Sequence, residues 1–206
     1  MEALIVVDMQ NDYLDGGAVA TPDGHARIEA INLLMDRFDL VAASQDWHPA
    51  EHFSFAENHD GRAPGDVVSI DGRQWHLWPA HCVRNTPGAE FCRELNTERF
   101  RRVFQTGTDA QSVSHSAFGE GSGSGLAEWL RERRVDSVAV CGVAIEAGVR
   151  ETVLDALREG FRTRLIVTAC SGWDLAPGEM NRAIEEMREA GAQVVSTEAV
   201  LQGATW

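Results

Sequence analysis

The segment 46–52 concentrates side chains that can bind a metal ion. Asp46, His48 and His52 lie two and four residues apart, and His81 follows further along the chain. Histidine nitrogens together with carboxylate oxygens suit zinc, iron or manganese. The residues alone leave two interpretations open, a metal site or a loop that is rich in ordinary histidines.

Two further segments could do chemistry. Asp8 directly follows an apolar run, where a carboxylate can act as a general acid or base or can simply cap a turn. The segment 142–148 reads Gly-Val-Ala-Ile-Glu-Ala-Gly, and backbone N–H groups at such a strand-to-helix turn can hold an anion. Within it, Glu146 is either a second acid or base or a charge that favours the start of the next helix.

Alternating strand-like and helix-like runs predict how these groups are positioned. Wholly apolar strands at 3–7, 40–43, 138–140, 165–167 and 194–195 alternate with amphipathic helices at 26–38, 125–134, 149–157 and 179–190. This pattern predicts an α/β fold, a single domain over residues 1–206 with three α/β/α layers and a mainly parallel sheet. Ligands bind beyond the carboxyl ends of such strands, where Asp8, Asp46 and 142–148 all fall. Residues 47–124 carry no such periodicity and are expected to form a long functional loop.

The overall composition excludes several classes of function. The chain has 206 residues, a net charge of −14 and 18 basic residues, all of which are arginine. The acidic balance argues against nucleic acid or an anionic membrane as the main partner. The absence of lysine excludes a Schiff-base lysine and a P-loop lysine. We expect a cytoplasmic protein with reduced thiols, because the sequence shows no signal peptide, no membrane span and no framework spacing among its four cysteines.

Four motifs in order resemble those of the nicotinamidase/pyrazinamidase branch of the isochorismatase-like hydrolases. The resemblance covers residues 3 to 198. The motifs are Asp-Met-Gln-Asn-Asp-Tyr at 8–13, Asp-Trp-His-Pro at 46–49 with His-Phe-Ser-Phe at 52–55, Trp-Pro-Ala-His-Cys-Val at 78–83, and Cys-Gly-Val-Ala at 141–144.

The resemblance implies a role for each matching position. Asp46, His48, His52 and His81 match the ligands of one divalent transition metal, with zinc as the first choice and iron or manganese as alternatives. The pocket positions that pack on an aromatic ring are Tyr13, Trp47 and Trp78. The amides of Ala144 and Gly148 match an oxyanion hole, and the Val143–Ala144 bond matches a position that is often cis. Asp8 matches the carboxylate of an Asp-Lys-Cys triad.

Two triad positions depart from the family pattern. Thr106 stands where the lysine is expected, at the substrate side of the site, and Gly148 stands where the nucleophilic cysteine is expected. A thioester intermediate needs a thiol, so Gly148 excludes one at that position. Neither Cys82 nor Cys141 is placed to replace it, because Cys82 follows a ligand histidine and Cys141 ends a strand.

Three functions remain open for a site of this kind. The favoured one is a hydrolase without a cysteine, in which Asp8, with Glu146 as a second acid or base, transfers protons near the metal. The second is another reaction on a ring-containing substrate, such as ring opening, decarboxylation or isomerisation, with His76 and His115 as further acid–base groups. The third is a catalytically silent ligand-binding protein. All three imply a small, planar substrate or ligand, which contains nitrogen in the favoured case. The oligomeric state is left open, and a homo-oligomer is compatible with all three.

Overall fold

The computed structural model describes residues 1–70, 72–112, 114–119 and 124–204. Six strands form one sheet in the order β5-β2-β1-β6-β7-β8, and each neighbouring pair is parallel. The strands are β1 (Glu2–Val7), β2 (Val41–Asp46), β5 (Arg102–Thr106), β6 (Ser137–Gly142), β7 (Arg162–Cys170) and β8 (Gln193–Val195). Burial of β1, β2 and β6 along nearly their whole length explains the apolar runs that they contain, although β2 ends in the polar residues Ser44, Gln45 and Asp46.

Helices cover the sheet and give the predicted three-layer α/β/α arrangement. They are α1 (Ile28–Met35), α2 (Leu126–Glu132), α3 (Arg150–Arg158), α4 (Glu179–Glu189) and α5 (Thr197–Leu201). The chain moves in opposite directions along the sheet after β1 and after β6, so right-handed crossovers place α1 and α3 on opposite faces. Accordingly α1 contacts α5, whereas α3 contacts α4.

The long segment between β2 and α2 is more ordered than its sequence predicts. It contains an antiparallel hairpin of β3 (Val67–Ile70) and β4 (Arg73–His76), and it also supplies the edge strand β5. The expectation that residues 47–124 form one long loop was therefore wrong, because three strands lie within that range. The sequence prediction missed β5 because this strand, Arg-Val-Phe-Gln-Thr, contains no continuous apolar run. Only Phe104 and Thr106 are buried in it.

The strand ends meet at one edge of the sheet, as predicted. The chain reverses its direction of winding between β1 and β6, which are hydrogen-bonded neighbours. Asp8 follows β1 and the segment 142–148 follows β6, so both lie at this switch point, where open α/β sheets bind ligands. Asp46 and Thr106 end β2 and β5 and are directly paired across those strands. Among the residues that the structure describes, no helix has the length and apolar character needed to cross a membrane.

Candidate active site

A cavity of about 910 Å³ opens at the carboxyl ends of the central strands. Its walls come from the turns after β1, β2, β6 and β7 and from the segment around the hairpin. The predicted site residues among its lining are Asp8, Tyr13, Asp46, His48, His52, Trp78, His81, Ala144 and Gly148, and the two histidines considered as extra acid–base groups, His76 and His115, line it as well. A volume of this size is typical of pockets that enclose small organic ligands.

Three of the four predicted metal ligands come together at this cavity. One potential ligand atom from each of Asp46, His48 and His81 lies within 4.8 Å of the others, and all three residues are buried. The Nε2 atom of His48 lies 3.4 Å from a carboxylate oxygen of Asp46. One carboxylate and two imidazoles, with space on the cavity side, form a donor set that fits a catalytic zinc-class ion with an open coordination position.

Backbone carbonyls orient both histidine rings for this task. The Nδ1 atom of His48 lies 2.9 Å from the Gly107 carbonyl oxygen, and that of His81 lies 2.8 Å from the Pro79 carbonyl oxygen. If Nδ1–H donates in each ring, both Nε2 atoms keep a free lone pair. Burial lowers the pKa of His81 to about 4, so its ring is neutral at pH 7 and able to act as a ligand.

Asp46 is held from several sides. The Tyr13 hydroxyl donates a hydrogen bond to Oδ2 of Asp46, and the Thr106 hydroxyl donates one of 3.0 Å to Oδ1. The Gln10 side chain bonds both the backbone N–H and the carbonyl of Asp46. Burial opposes ionisation, but the charge and hydrogen bond of the protonated form of His48 outweigh it and keep the pKa of Asp46 below its ordinary value; a bound metal ion would take the place of that proton. Asp46 is therefore ionised and rigid, as a metal ligand should be.

His52 lies beside the three-residue group but is engaged elsewhere. Its ring centroid is 4.3 Å from that of His48. Its Nδ1 lies 2.8 Å from the Ser54 hydroxyl and its Nε2 lies 2.9 Å from the Ser112 carbonyl oxygen. The role of His52 as a fourth ligand therefore stays a prediction, which requires its ring to leave Ser112.

Asp8 and Gly148 face each other across the cavity wall. A Cβ atom added at Gly148 would lie 3.1 Å from Oδ2 of Asp8. The other oxygen of Asp8 accepts a 2.7 Å hydrogen bond from the Ser44 hydroxyl. Burial, reinforced by repulsion from Asp46, raises the pKa of Asp8 well above its ordinary value and so favours the protonated form of the carboxyl. The turn itself contains a cis peptide bond between Val143 and Ala144, as the resemblance implies.

Aromatic rings form one wall of the cavity, but the set differs from the predicted one. Tyr13 and Trp78 line it as expected, and Trp173 joins them, with ring centroids 6.0 Å from Tyr13 and 5.0 Å from Trp78. The sequence prediction missed Trp173, although its place just after β7 was a usable signal. Trp47 packs against the hydrophobic core instead, and it is absent from the lining formed by the described residues.

Two other predicted site residues act from behind the cavity wall. Within the described part of the chain, neither Thr106 nor Glu146 belongs to the lining. Thr106 contacts Asp46 rather than the cavity. Oε1 of Glu146 accepts hydrogen bonds from the backbone N–H groups of Trp173 (2.5 Å) and Asp174 (2.9 Å). Glu146 thus fixes the segment that carries the third aromatic ring, a positioning role that its sequence context did not reveal.

None of the four cysteines lines the cavity among the described residues, and all four are free thiols. Cys82 and Cys141 are fully buried, and Cys170 is 4% exposed. Burial raises the pKa of Cys170 to about 12 and that of Cys141 well above its ordinary value. Cys82, Cys141 and Cys170 are therefore unreactive, and none of the four cysteines can take the place of a side chain missing at Gly148.

Comparison with known proteins agrees with this arrangement. Residues 2–199 match the model of the isochorismatase domain. The nicotinamidase of Escherichia coli (strain K12) is 40% identical over 197 residues, which cover 92% of each chain. A nicotinamidase/pyrazinamidase structure from Acinetobacter baumannii superposes with a TM-score of 0.92 at 38% identity, covering 97% of each chain. The pyrazinamidase of Pyrococcus horikoshii, solved in complex with zinc, has a TM-score of 0.79 at 40% identity and covers 95% of this chain and 98% of that one.

The domain match extends over nearly the whole chain, and the relatives are covered along nearly their full length. The chain therefore belongs to the isochorismatase family of hydrolases, with nicotinamidases and pyrazinamidases as its relatives.

Proposed function

We propose that this protein is a metal-binding hydrolase that cleaves a small, planar, nitrogen-containing substrate without a cysteine nucleophile. One observation carries the proposal: Asp8 faces Gly148 on the wall of a cavity that also contains Asp46, His48 and His81. Because Gly148 has no side chain, none stands between the cavity and the Asp8 carboxyl at this position. A water molecule or the reacting bond of a substrate in the cavity can therefore approach Asp8.

Asp8 is the group that moves protons in this proposal. The buried carboxyl gives its proton to the leaving group, which departs with the electrons of the broken bond. Water adds its oxygen to the electrophilic carbon, and the proton that it releases returns to Asp8. Asp46, His48 and His81 would hold the metal, which would supply Lewis acidity toward a ring nitrogen or water. Tyr13, Trp78 and Trp173 pack on the planar substrate, and the amides of Ala144 and Gly148 are proposed to bind the developing negative charge.

We expect Asp8→Asn to abolish turnover and to leave binding largely intact, because asparagine has the same shape but no proton to give at neutral pH. Turnover would be followed over a panel of heteroaromatic amides, esters and enol ethers, and binding by calorimetric titration with nicotinate, the product of the relatives named nicotinamidase. As a matched control, Asp12→Asn changes a carboxylate in the same segment that bonds the Cys82 backbone N–H instead of lining the cavity.

The same experiment separates the alternatives. Turnover that survives in Asp8→Asn at the level of the original chain would refute the role of Asp8. Binding without turnover across the whole panel would point to the catalytically silent ligand-binding protein. Opening of a substrate ring without hydrolysis would point to a ring-opening enzyme, and release of carbon dioxide would point to a decarboxylase. The cytoplasmic location and the single divalent metal remain predictions, and elemental analysis of protein purified without added metal tests the second.

Glu146→Ala should weaken nicotinate binding, because it removes the acceptor for the two N–H groups that hold Trp173 in the aromatic wall. Leaving two such donors unsatisfied costs on the order of 1–3 kcal/mol each. Glu146→Gln keeps an acceptor oxygen and should bind nearly as well as the original chain. Equal calorimetric affinity in the alanine and glutamine variants would contradict the positioning role, and a large loss of activity in Glu146→Gln with unchanged binding would instead favour direct acid–base catalysis.

A further inference from the structure

A second group of metal-binding side chains lies outside the cavity, where α1 meets the segment before β5. Potential ligand atoms of His25, Cys92 and Glu94 all lie within 4.8 Å of one another. His25 begins a short 3-10 helix (His25–Arg27) that leads directly into α1, and Cys92 and Glu94 belong to the loop that packs against α1. From these contacts we propose that His25, Cys92 and Glu94 form a second binding site for a zinc-class divalent cation, independent of the site in the cavity.

The chemistry of the three side chains favours such an ion over calcium or magnesium. A thiolate, an imidazole and a carboxylate are all zinc ligands, whereas calcium and magnesium take oxygen ligands almost exclusively. With three protein ligands, water would complete a tetrahedral shell. The Cys92 thiol donates a 2.7 Å hydrogen bond to Oε2 of Glu94, so the metal would replace the thiol proton, which passes to solvent.

The loop that carries two of the ligands is already fixed to the helix that follows the third. The Asn32 side chain of α1 donates a 2.9 Å hydrogen bond to the Glu94 carbonyl, and its oxygen accepts another of 2.9 Å from the Asn96 N–H. The Cys92 N–H bonds the carbonyl of Met9, the residue after Asp8. The ligands therefore need only side-chain movement to bind, which keeps the entropic cost of binding low.

The surroundings of the group are acidic. A shallow groove of about 350 Å³ is lined by His25 and Glu94 together with Glu29 and Asp36. The Asp36 carboxylate lies 3.6 Å from Nε of Arg99, which leaves Glu29 and Glu94 as the carboxylates that attract a cation to this groove. Cys92 itself is 3% exposed, so the thiol is sheltered while His25 and Glu94 are open to solvent.

Cobalt(II) distinguishes this site from the one in the cavity, because only a cysteine ligand gives a thiolate-to-cobalt charge-transfer band in the near ultraviolet. The full chain, titrated with cobalt chloride, should show this band, and zinc chloride should displace it. Cys92→Ser should abolish the band and the corresponding equivalent of bound metal. His25→Ala, a change at an exposed residue that does not threaten folding, should weaken cobalt binding at this site at least tenfold.

Cys82→Ser is the matched control, since Cys82 is a buried thiol next to the proposed cavity ligand His81. The band should persist in Cys82→Ser, and it should also persist in His81→Ala, which removes a ligand of the cavity site only. No band in the full chain, or a band that survives in Cys92→Ser, would overturn the proposal. Because the readout depends on neither turnover nor the cavity metal, its failure is distinguishable from failure of the proposed function.

Discussion

The double variant Gly148→Cys, Thr106→Lys should release ammonia from nicotinamide at least about 10³-fold faster than the original chain, which should show little or no turnover. Replacing a catalytic nucleophile costs several orders of magnitude in rate, so supplying one should recover a comparable factor. The new Cβ atom would lie 3.1 Å from Oδ2 of Asp8, 3.1 Å from Cγ1 of Val7 and 3.3 Å from the backbone carbonyl oxygen of His115, so these neighbours must shift by a few tenths of an ångström to admit it.

The lysine is included because a thiolate beside a buried carboxyl group needs positive charge. Thr106 is 4% exposed and bonds Asp46, so a lysine there would enter beside the ionised Asp46 carboxylate, which favours its charged form. The control is Gly148→Ala, Thr106→Lys, which adds the same Cβ atom without sulfur and should stay inactive. Rapid ammonia release by the original chain would contradict the claim that Gly148 removes the nucleophile.

Gly107→Ala should weaken zinc binding in the cavity by about 10- to 100-fold, the usual effect of disturbing a group that orients a metal ligand. The Gly107 carbonyl orients His48, and a Cβ atom at Gly107 would overlap the His48 ring. That ring cannot simply turn away, because it is packed among His52, Phe55 and His81. Competition with a chromophoric chelator in the Cys92→Ser background measures the cavity site alone.

Gly61→Ala is the control that separates ring overlap from backbone strain. Gly61 has a φ of +70°, close to the +61° of Gly107, but a Cβ atom there would meet nothing within 4 Å. Both variants carry the same left-handed strain, so only Gly107→Ala should lose zinc affinity. Equal losses in the two variants would show that the His48 contact has no part in metal binding.

Sequence patterns predict the parts of this protein that depend on burial and on parallel topology. The apolar runs of β1, β2 and β6 arise because both faces of the sheet are covered. Since these parallel strands end at the same edge of the sheet, the sequence alone predicts that Asp8 and Asp46 lie close together. The same logic misses β5, since an edge strand with half of its side chains exposed has no continuous apolar run.

Side-chain direction is what the sequence could not supply. Glu146 lies two residues from Gly148, yet its carboxylate accepts hydrogen bonds from the backbone N–H groups of Trp173 and Asp174. The direction in which its side chain points is set by the conformation of the whole turn. The partner of His52 Nε2 is the carbonyl of Ser112, sixty residues away, a contact that no local pattern encodes. Trp47 and Trp173 illustrate the same limit, because which aromatic residue faces the cavity depends on how each loop leaves its strand.

The proposed metal ligands all come from one continuous stretch, residues 46–81, whereas Asp8, Thr106 and Gly148 come from three distant points of the chain. This segment is bonded to the rest of the chain by Gln10, Tyr13, Thr106 and Gly107 among others. An exchange at position 148 leaves those bonds in place, whereas an exchange at position 106 removes a hydrogen bond to Asp46. The fold therefore lets the residue facing Asp8 change without altering the proposed metal ligands, so substitution at this one position can redirect the chemistry of the site.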